Sequence, residues 1–390
     1  MLKDLLAYLS PIDIQDIPLT GNSIGNKTLF YTKENEFPPI NKANIAIIGI
    51  PEGRCAVGNE GCANAPDVIR RYFYPLFNHI DNPKMVDVGN IKQGKEPSDT
   101  MAAATAVISQ LLAEKLFVII LGGGNNIVRS NYLAYENLKQ LINLTCIDSR
   151  FDIGETENDA DTSTSYLSKI ILHRPNYLFN YTNIGFQSYY VDKKAMELID
   201  SLYFDSFRLG VAREDIAEVE PAIRNSNIVS LDMSSVKAAD APGNPFSSPN
   251  GFTGDEICVL CRYAGCSDKV SSFGIYEYNP ALDIEFRTAK LIGQSLWYLI
   301  DGYYVRTDEM PYKDINKFIK YHVNSAIFQH EVVFYKSKQT NRWWMEVECP
   351  DYLKTKYAPH YLVSCSYKDY LSASNNEVPE RWLQVYKKLM

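Results

Sequence analysis

The chain has 390 residues, 46% of them hydrophobic and 22% charged, with a formal net charge of −8. That is enough apolar chain for one large core with an appendage, and the acidic balance excludes the basic footprint of a nucleic-acid or anionic-membrane partner. No run is long and apolar enough to span a bilayer; eight irregularly spaced cysteines without an export leader fit reduced thiols, so a cytoplasmic protein is expected.

Residues 1–42 hold a short helix candidate in MLKDLLAYLS and the polar stretch TGNSIGNKTLFYTKENEFPP, expected to pack along a main domain as an N-terminal extension. Short β-rich runs then alternate with longer helical patterns. The strand candidates are NIAIIGI, KMVDVG, LFVIILGGG, INLTCID, NYTNIGFQ, FRLGV, NIVSLDM and SSFGIYEY. The helix candidates include APDVIRRYFYPLF, SDTMAAATAVISQLLAEK and DIEFRTAKLIGQSLWYLIDGYY. The strand runs are almost continuously apolar, as strands buried on both faces are. An α/β domain over residues 43–304 is predicted, with helices on both faces of a central, mostly parallel eight-stranded sheet. Cys258, Cys261 and Cys266 lie in GDEICVLCRYAGC, an apolar helix face whose thiols are expected in the core rather than on a metal.

Residues 305–390 form a C-terminal α+β extension. It is read as a helical KDINKFIKYHV, a β-hairpin in HEVVFYKSKQTNRWWMEVECP turning at KQTN, and a final helix after NNEVPERW. Trp343, Trp344 and Trp382 there suit either a surface for a protein partner or self-association, or a face buried against the main domain.

In parallel sheets, ligands bind beyond the carboxyl ends of the strands. Four loops lie there: GGGNN at 122–126, DSRFD at 148–152, DMSSVKAADAPG at 232–243 and YEYNP at 276–280. They bring the acids Asp148, Asp152, Asp232 and Glu277. The five histidines, His79, His173, His322, His330 and His360, fall outside these loops, so no Ser-His-Asp or Cys-His arrangement is visible. GGGNN lacks the glycine spacing of a dinucleotide fingerprint and the Lys-Ser/Thr pair of a phosphate loop.

Taken together, these stretches resemble the ureohydrolases: arginase, agmatinase and formimidoylglutamase. The order of GGGNN, DSRFD, SLDMSSVKA and YEYNP is that of the family's motifs. GIPEGRCAVGNEGCANAPDVIRR and APGNPFSSPNGFTGDE resemble its framing segments, and GFQ at 185–187 leans toward the formimidoylglutamase branch. The resemblance covers residues 43–304 and implies a three-layer arginase-like fold. It also implies two manganese ions, held by two histidines and four aspartates, that activate water against a guanidino or formimidoyl carbon.

Those six ligand positions read Asn125, Asp148, Arg150, Asp152, Asp232 and Ser234 here, and Lys237 replaces a further aspartate. Both imidazoles are gone. Asn125 retains a carbonyl oxygen for a hard cation, whereas Arg150 has no lone pair to give. Arg150 is expected to replace metal as the countercharge by bridging the remaining acids. Glu277 stands where the family's guanidinium-binding glutamate lies. The expectation is an arginase-fold pseudoenzyme that has lost binuclear manganese hydrolysis and works as a binding or scaffold protein, with no cofactor. The alternative is a hydrolase of a guanidino or formimidoyl C–N bond, using at most one manganese or magnesium ion on Asn125, Asp148, Asp152 and Asp232.

Overall fold

The structure, a computed structural model, describes residues 5–154, 161–324, 331–358 and 360–390. Ten strands make one sheet: β1 (Leu9–Ser10), β2 (Thr28–Phe30), β3 (Ile45–Gly49), β4 (Met85–Ile91), β5 (Phe117–Leu121), β6 (Ile142–Ile147), β7 (Leu178–Phe186), β8 (Asp205–Arg208), β9 (Ile228–Asp232) and β10 (Ser272–Tyr276). Their order is β1-β4-β3-β5-β10-β9-β6-β7-β8, with β2 also on β4. Only the β1–β4 pairing is antiparallel.

The unbroken apolar runs have a direct cause. Along β3, Ile45 and Ile47 face one core while Ala46 and Ile48 face the other; β5 repeats this with Phe117, Ile119 and Leu121 against Val118 and Ile120. The first core is closed by helices Ala65–Phe73, Gly254–Cys266 and Arg287–Tyr304, the second by Pro97–Ala113, Ile127–Asn137 and Tyr166–Leu172. Cys258, Cys261 and Cys266 are buried free thiols, and burial raises their pKa. Among the described residues no helix is long and apolar enough to cross a membrane.

All eight expected strands are present, with two differences. The N-terminal stretch joins the sheet edge through β1 and β2, making ten strands. FRLGV is a strand only to Arg208, after which Leu209–Glu214 is helical. At the start of the chain only a 3₁₀ turn, Leu6–Tyr8, is formed, and Met1 to Asp4 of the helix candidate lie outside the described residues.

The C-terminal region builds a second, antiparallel sheet from β11 (Phe318–Val323), β12 (Val332–Ser337), β13 (Trp343–Glu346) and β14 (Leu362–Cys365), in that order. The hairpin at KQTN and the last helix, Glu380–Leu389, fall where expected. KDINKFIKYHV is not a helix: a 3₁₀ turn, Ile315–Lys317, leads into β11, and pairing with β12 along six residues outweighs the helical spacing. Strand β14 and helices Asp351–Tyr357 and Tyr367–Ser374 had no counterpart in the pattern.

The paired indoles are buried, not displayed. Trp343 and Trp344 are 7% and 1% exposed. Arg224, from helix Glu220–Arg224, lies 4.4 Å over the Trp344 ring and donates to the carbonyls of Trp343 (3.1 Å) and Cys365 (3.2 Å). This cation holds the second sheet against the first. Trp344→Ala should therefore destabilise the protein by about 3–5 kcal/mol, seen as a clear fall in melting temperature. A variant that melts like the parent would return Trp344 to the role of a surface residue.

Candidate active site

The four loops meet because the carboxyl ends of β5, β10, β9 and β6 are consecutive in the sheet, although they are scattered along the chain. Asn125 follows β5 through GGG, where a side chain on Gly123 would run into the Glu52 carbonyl. Asp148 and Asp152 follow β6, Asp232 ends β9, and Glu277 follows β10. Asp152 and Glu277 both have left-handed backbone, at φ 52 and 62. For non-glycine residues this is the kind of strain that functional loops retain.

Carboxylate oxygens of Asp148, Asp152 and Asp232 lie within 4.8 Å of one another. The chain steadies them with neutral donors. Asn125 Nδ2 donates to Asp152 (2.9 Å) and more weakly to Asp148 (3.4 Å). The Arg150 backbone N–H donates to Asp148 Oδ1 (2.9 Å), and the Ser234 N–H to Asp232 Oδ1 (2.7 Å). The Ser234 hydroxyl lies 3.5 Å from Asp148 and 3.1 Å from the Ser149 hydroxyl.

Glu277, 4% exposed, accepts from the Asn125 backbone N–H (2.8 Å) and from Asn59 Nδ2 (2.7 Å). Asn59 sits in the first framing loop, AVGNEGC, where the sequence reading gave it no role. Its signal was only its place in that loop. Phe246, in the second framing segment APGNPFSSPNGFTGDE, was likewise given no role, and it lines the cavity with the triad, Glu277, Ser163 and Thr164.

The expected countercharge is not formed. Arg150 makes no ion pair among the described residues; its guanidinium stacks 5.0 Å from the Tyr190 ring and 5.2 Å from that of Phe246. Its field reaches Asp152 and Asp232 and lowers their pKa, without a hydrogen bond to either. Lys237 pairs instead with Asp240 at 3.4 Å. Asn125 also departs from expectation. Its amide nitrogen, not its oxygen, faces the triad, and Oδ1 accepts from Ser230 at 3.4 Å. Neighbouring carboxylates need donors, and the amide supplies them. Of the four expected ligands, three converge as acceptors.

Burial and mutual repulsion therefore act on the acids with little relief. Asp148 is raised well above the usual carboxylate range by burial and by the charges of Asp152 and Asp232. Asp152 is pushed up to about 7 by burial and Asp232, and Asp232 to about 6 by burial. Glu277 is pushed up to about 8 by burial and by Asp232. Three hard oxygen donors around a space of about 20 Å³ fit one divalent cation of the Mg²⁺ or Mn²⁺ kind. At two of the positions where the family resemblance places ligands stand Arg150, whose guanidinium has no lone pair to give, and Ser234. Of the histidines, His173 pairs with Glu136, His322 with Glu331, His79 packs on Trp297 and His360 on Phe179. His330 lies outside the described residues.

Residues 43–301 match the family model described as Arginase family. Similar proteins include formimidoylglutamase of Lysinibacillus sphaericus, 27% identical over 277 residues covering 66% of this chain and 84% of that protein. Formimidoylglutamase of Staphylococcus aureus is 26% identical over 241 residues, covering 60% and 78%. Among solved structures, Trypanosoma cruzi formiminoglutamase with Mn²⁺ superposes with a TM-score of 0.64 at 20% identity, over 69% of this chain and 96% of that one. Formimidoylglutamase of Bacillus subtilis gives 0.65 at 18% identity, over 78% and 99%.

The raised carboxyl groups make a pH prediction. A carboxyl whose pKa is higher folded than unfolded stabilises the fold below its unfolded pKa, about 4, and that stability is lost as pH rises through its folded value. For Asp152, Asp232 and Glu277 the loss begins at about pH 4 and is complete once pH passes about 7, 6 and 8 respectively. A cation competes with those protons. Added Mn²⁺ should thus raise the melting temperature strongly at pH 8 and little at pH 5, and Asp152→Asn with Asp232→Asn should abolish the difference. Equal shifts at both pH values would mean the ion binds elsewhere.

Proposed function

This chain belongs to the arginase family, and from that premise we propose a formimidoylglutamase-like hydrolase that cleaves a C–N bond of a small formimidoyl or guanidino compound with one divalent cation. The observation that carries the proposal is the convergence of Asp148, Asp152 and Asp232 within 4.8 Å while, among the described residues, neither the Arg150 guanidinium nor the Lys237 ammonium forms an ion pair with any of them. Buried acids without a cationic partner are costly; a site that keeps three of them together is suited to an ion. The names of the relatives and the manganese in the Trypanosoma cruzi structure support the same direction.

Asp148, Asp152 and Asp232 would hold the cation. When bound, it supplies Lewis-acid activation of water and of the amidine group. Asn125 keeps the Asp148 and Asp152 carboxylates turned inward through its Nδ2. Glu277, fixed by Asn125 and Asn59, offers its remaining lone pairs to the N–H groups of an amidinium or guanidinium. Phe246 and Arg150 line the same cavity. The attacking water gives its hydroxyl to the amidine carbon and a proton to the departing nitrogen. Outside the triad, Glu277 is the described cavity group whose pKa, about 8, suits it to hold that proton in passing.

A second reading keeps the fold without the chemistry, as a binding or scaffold protein. It is favoured by the lack of any imidazole among the described residues lining the cavity. Turnover separates the two. Protein loaded with Mn²⁺ should carry one ion per chain and release formamide and glutamate from formimidoylglutamate, both lost in Asp232→Asn and on chelation. One bound ion with no release of formamide would favour the second reading; two ions per chain would contradict the single-cation site.

A further inference from the structure

Arg150 occupies a position that the sequence marks as a lost metal ligand, and its guanidinium acts on the acids only through its field, with no ion pair to any of them among the described residues. Its backbone is fixed on both sides: the N–H donates to Asp148 Oδ1 at 2.9 Å, and the carbonyl accepts from Asn183 Nδ2 at 2.7 Å. Its side chain is clasped by two rings that are themselves anchored. Tyr190 donates through its hydroxyl to Ser248 Oγ at 3.1 Å. Phe246 donates its backbone N–H to Asn244 Oδ1 at 2.7 Å, and Asn244 Nδ2 donates to the Glu277 carbonyl at 2.8 Å. One loop thus joins the Arg150 shelf to Glu277. Stacking on aromatic faces fixes the plane of a guanidinium while leaving its edge free.

That edge carries five N–H donors, none of which meets a hydrogen-bond acceptor among the described residues. A permanent cation lining the same cavity as Glu277, its guanidinium donors unmet among the described residues, has the chemistry of a fork for an oxyanion. Glu277 and Arg150 present an acceptor carboxyl and a cation to one cavity, the complement of a ligand with an amidinium at one end and a carboxylate at the other.

We propose that Arg150 is the substrate-carboxylate site of this chain, so that the compounds it accepts are amidino or formimidoyl acids rather than simple amines such as agmatine. The assignment rests on the reading of the site as one for amidine compounds, and deepens it by naming the second group that the ligand must carry. Arg150 is a specificity residue on this proposal: it grips the ligand's carboxylate.

Binding, not turnover, tests it. Calorimetric titrations of the Mn²⁺-loaded protein would use glutarate, which has carboxylates and no amidine, and acetamidinium, which has the amidine and no carboxylate. Glutarate should bind the parent protein and lose roughly tenfold or more in affinity in Arg150→Met, the loss expected for a charge-assisted bond. Acetamidinium should bind both alike. Tyr190→Leu, which removes one side of the shelf and keeps the charge, should weaken glutarate by a smaller factor, and serves if Arg150→Met folds poorly. Glutarate that fails to bind the parent, or binds Arg150→Met and Tyr190→Leu unchanged, overturns the assignment. Glutarate binding that depends on Arg150, in a protein that turns over no formimidoylglutamate, would keep the carboxylate site and remove the hydrolase reading.

Discussion

Three carboxylates held within 4.8 Å of one another in a buried space impose the constraint to which the rest of the site answers. At the mid-sheet position where β6 and β9 end side by side, parallel pairing delivers Asp148 and Asp232 together, and the turn after β6 adds Asp152 in left-handed backbone. Neither strand can withdraw its acid without breaking register with its neighbours. Compensation has to come from protons, hydrogen-bond donors or a cation.

The chain supplies the donors and withholds the cation. Asn125, the N–H groups of Arg150 and Ser234, and the Ser234 hydroxyl all point at the triad. Each is neutral, so each orients a carboxylate without discharging it. The two new basic side chains are spent elsewhere: Lys237 on Asp240, Arg150 between Tyr190 and Phe246. The open arrangement keeps an acidic centre and a basic rim apart, which suits one ion at the centre and a polar ligand above it.

Much of the fold was legible from sequence because the doubly buried strands of the main sheet leave a continuous apolar signature, seen in β3, β5 and β9, and because their carboxyl ends carry the acids. The extensions were harder. Leu9–Ser10 and Thr28–Phe30 are too short for a periodic signal, and they become strands only because β4 offers an open edge. KDINKFIKYHV spaces its apolar residues like a helix, yet cross-strand partners decide its state. In the site, the identity of the acids could be read, but not the direction in which Arg150 points. That depends on Tyr190 and Phe246, which lie 40 and 96 residues downstream and carried no mark of their role. The burial of Trp344 was likewise set by a distant partner, Arg224.

The most direct measurement is anomalous scattering at the manganese edge from crystals grown with Mn²⁺ near pH 8, above the raised values of Asp152 and Asp232. The account predicts a single peak among Asp148, Asp152 and Asp232, with the Arg150 guanidinium still between Tyr190 and Phe246. Two peaks, or no peak together with Arg150 bonded to the three carboxylates, would contradict it.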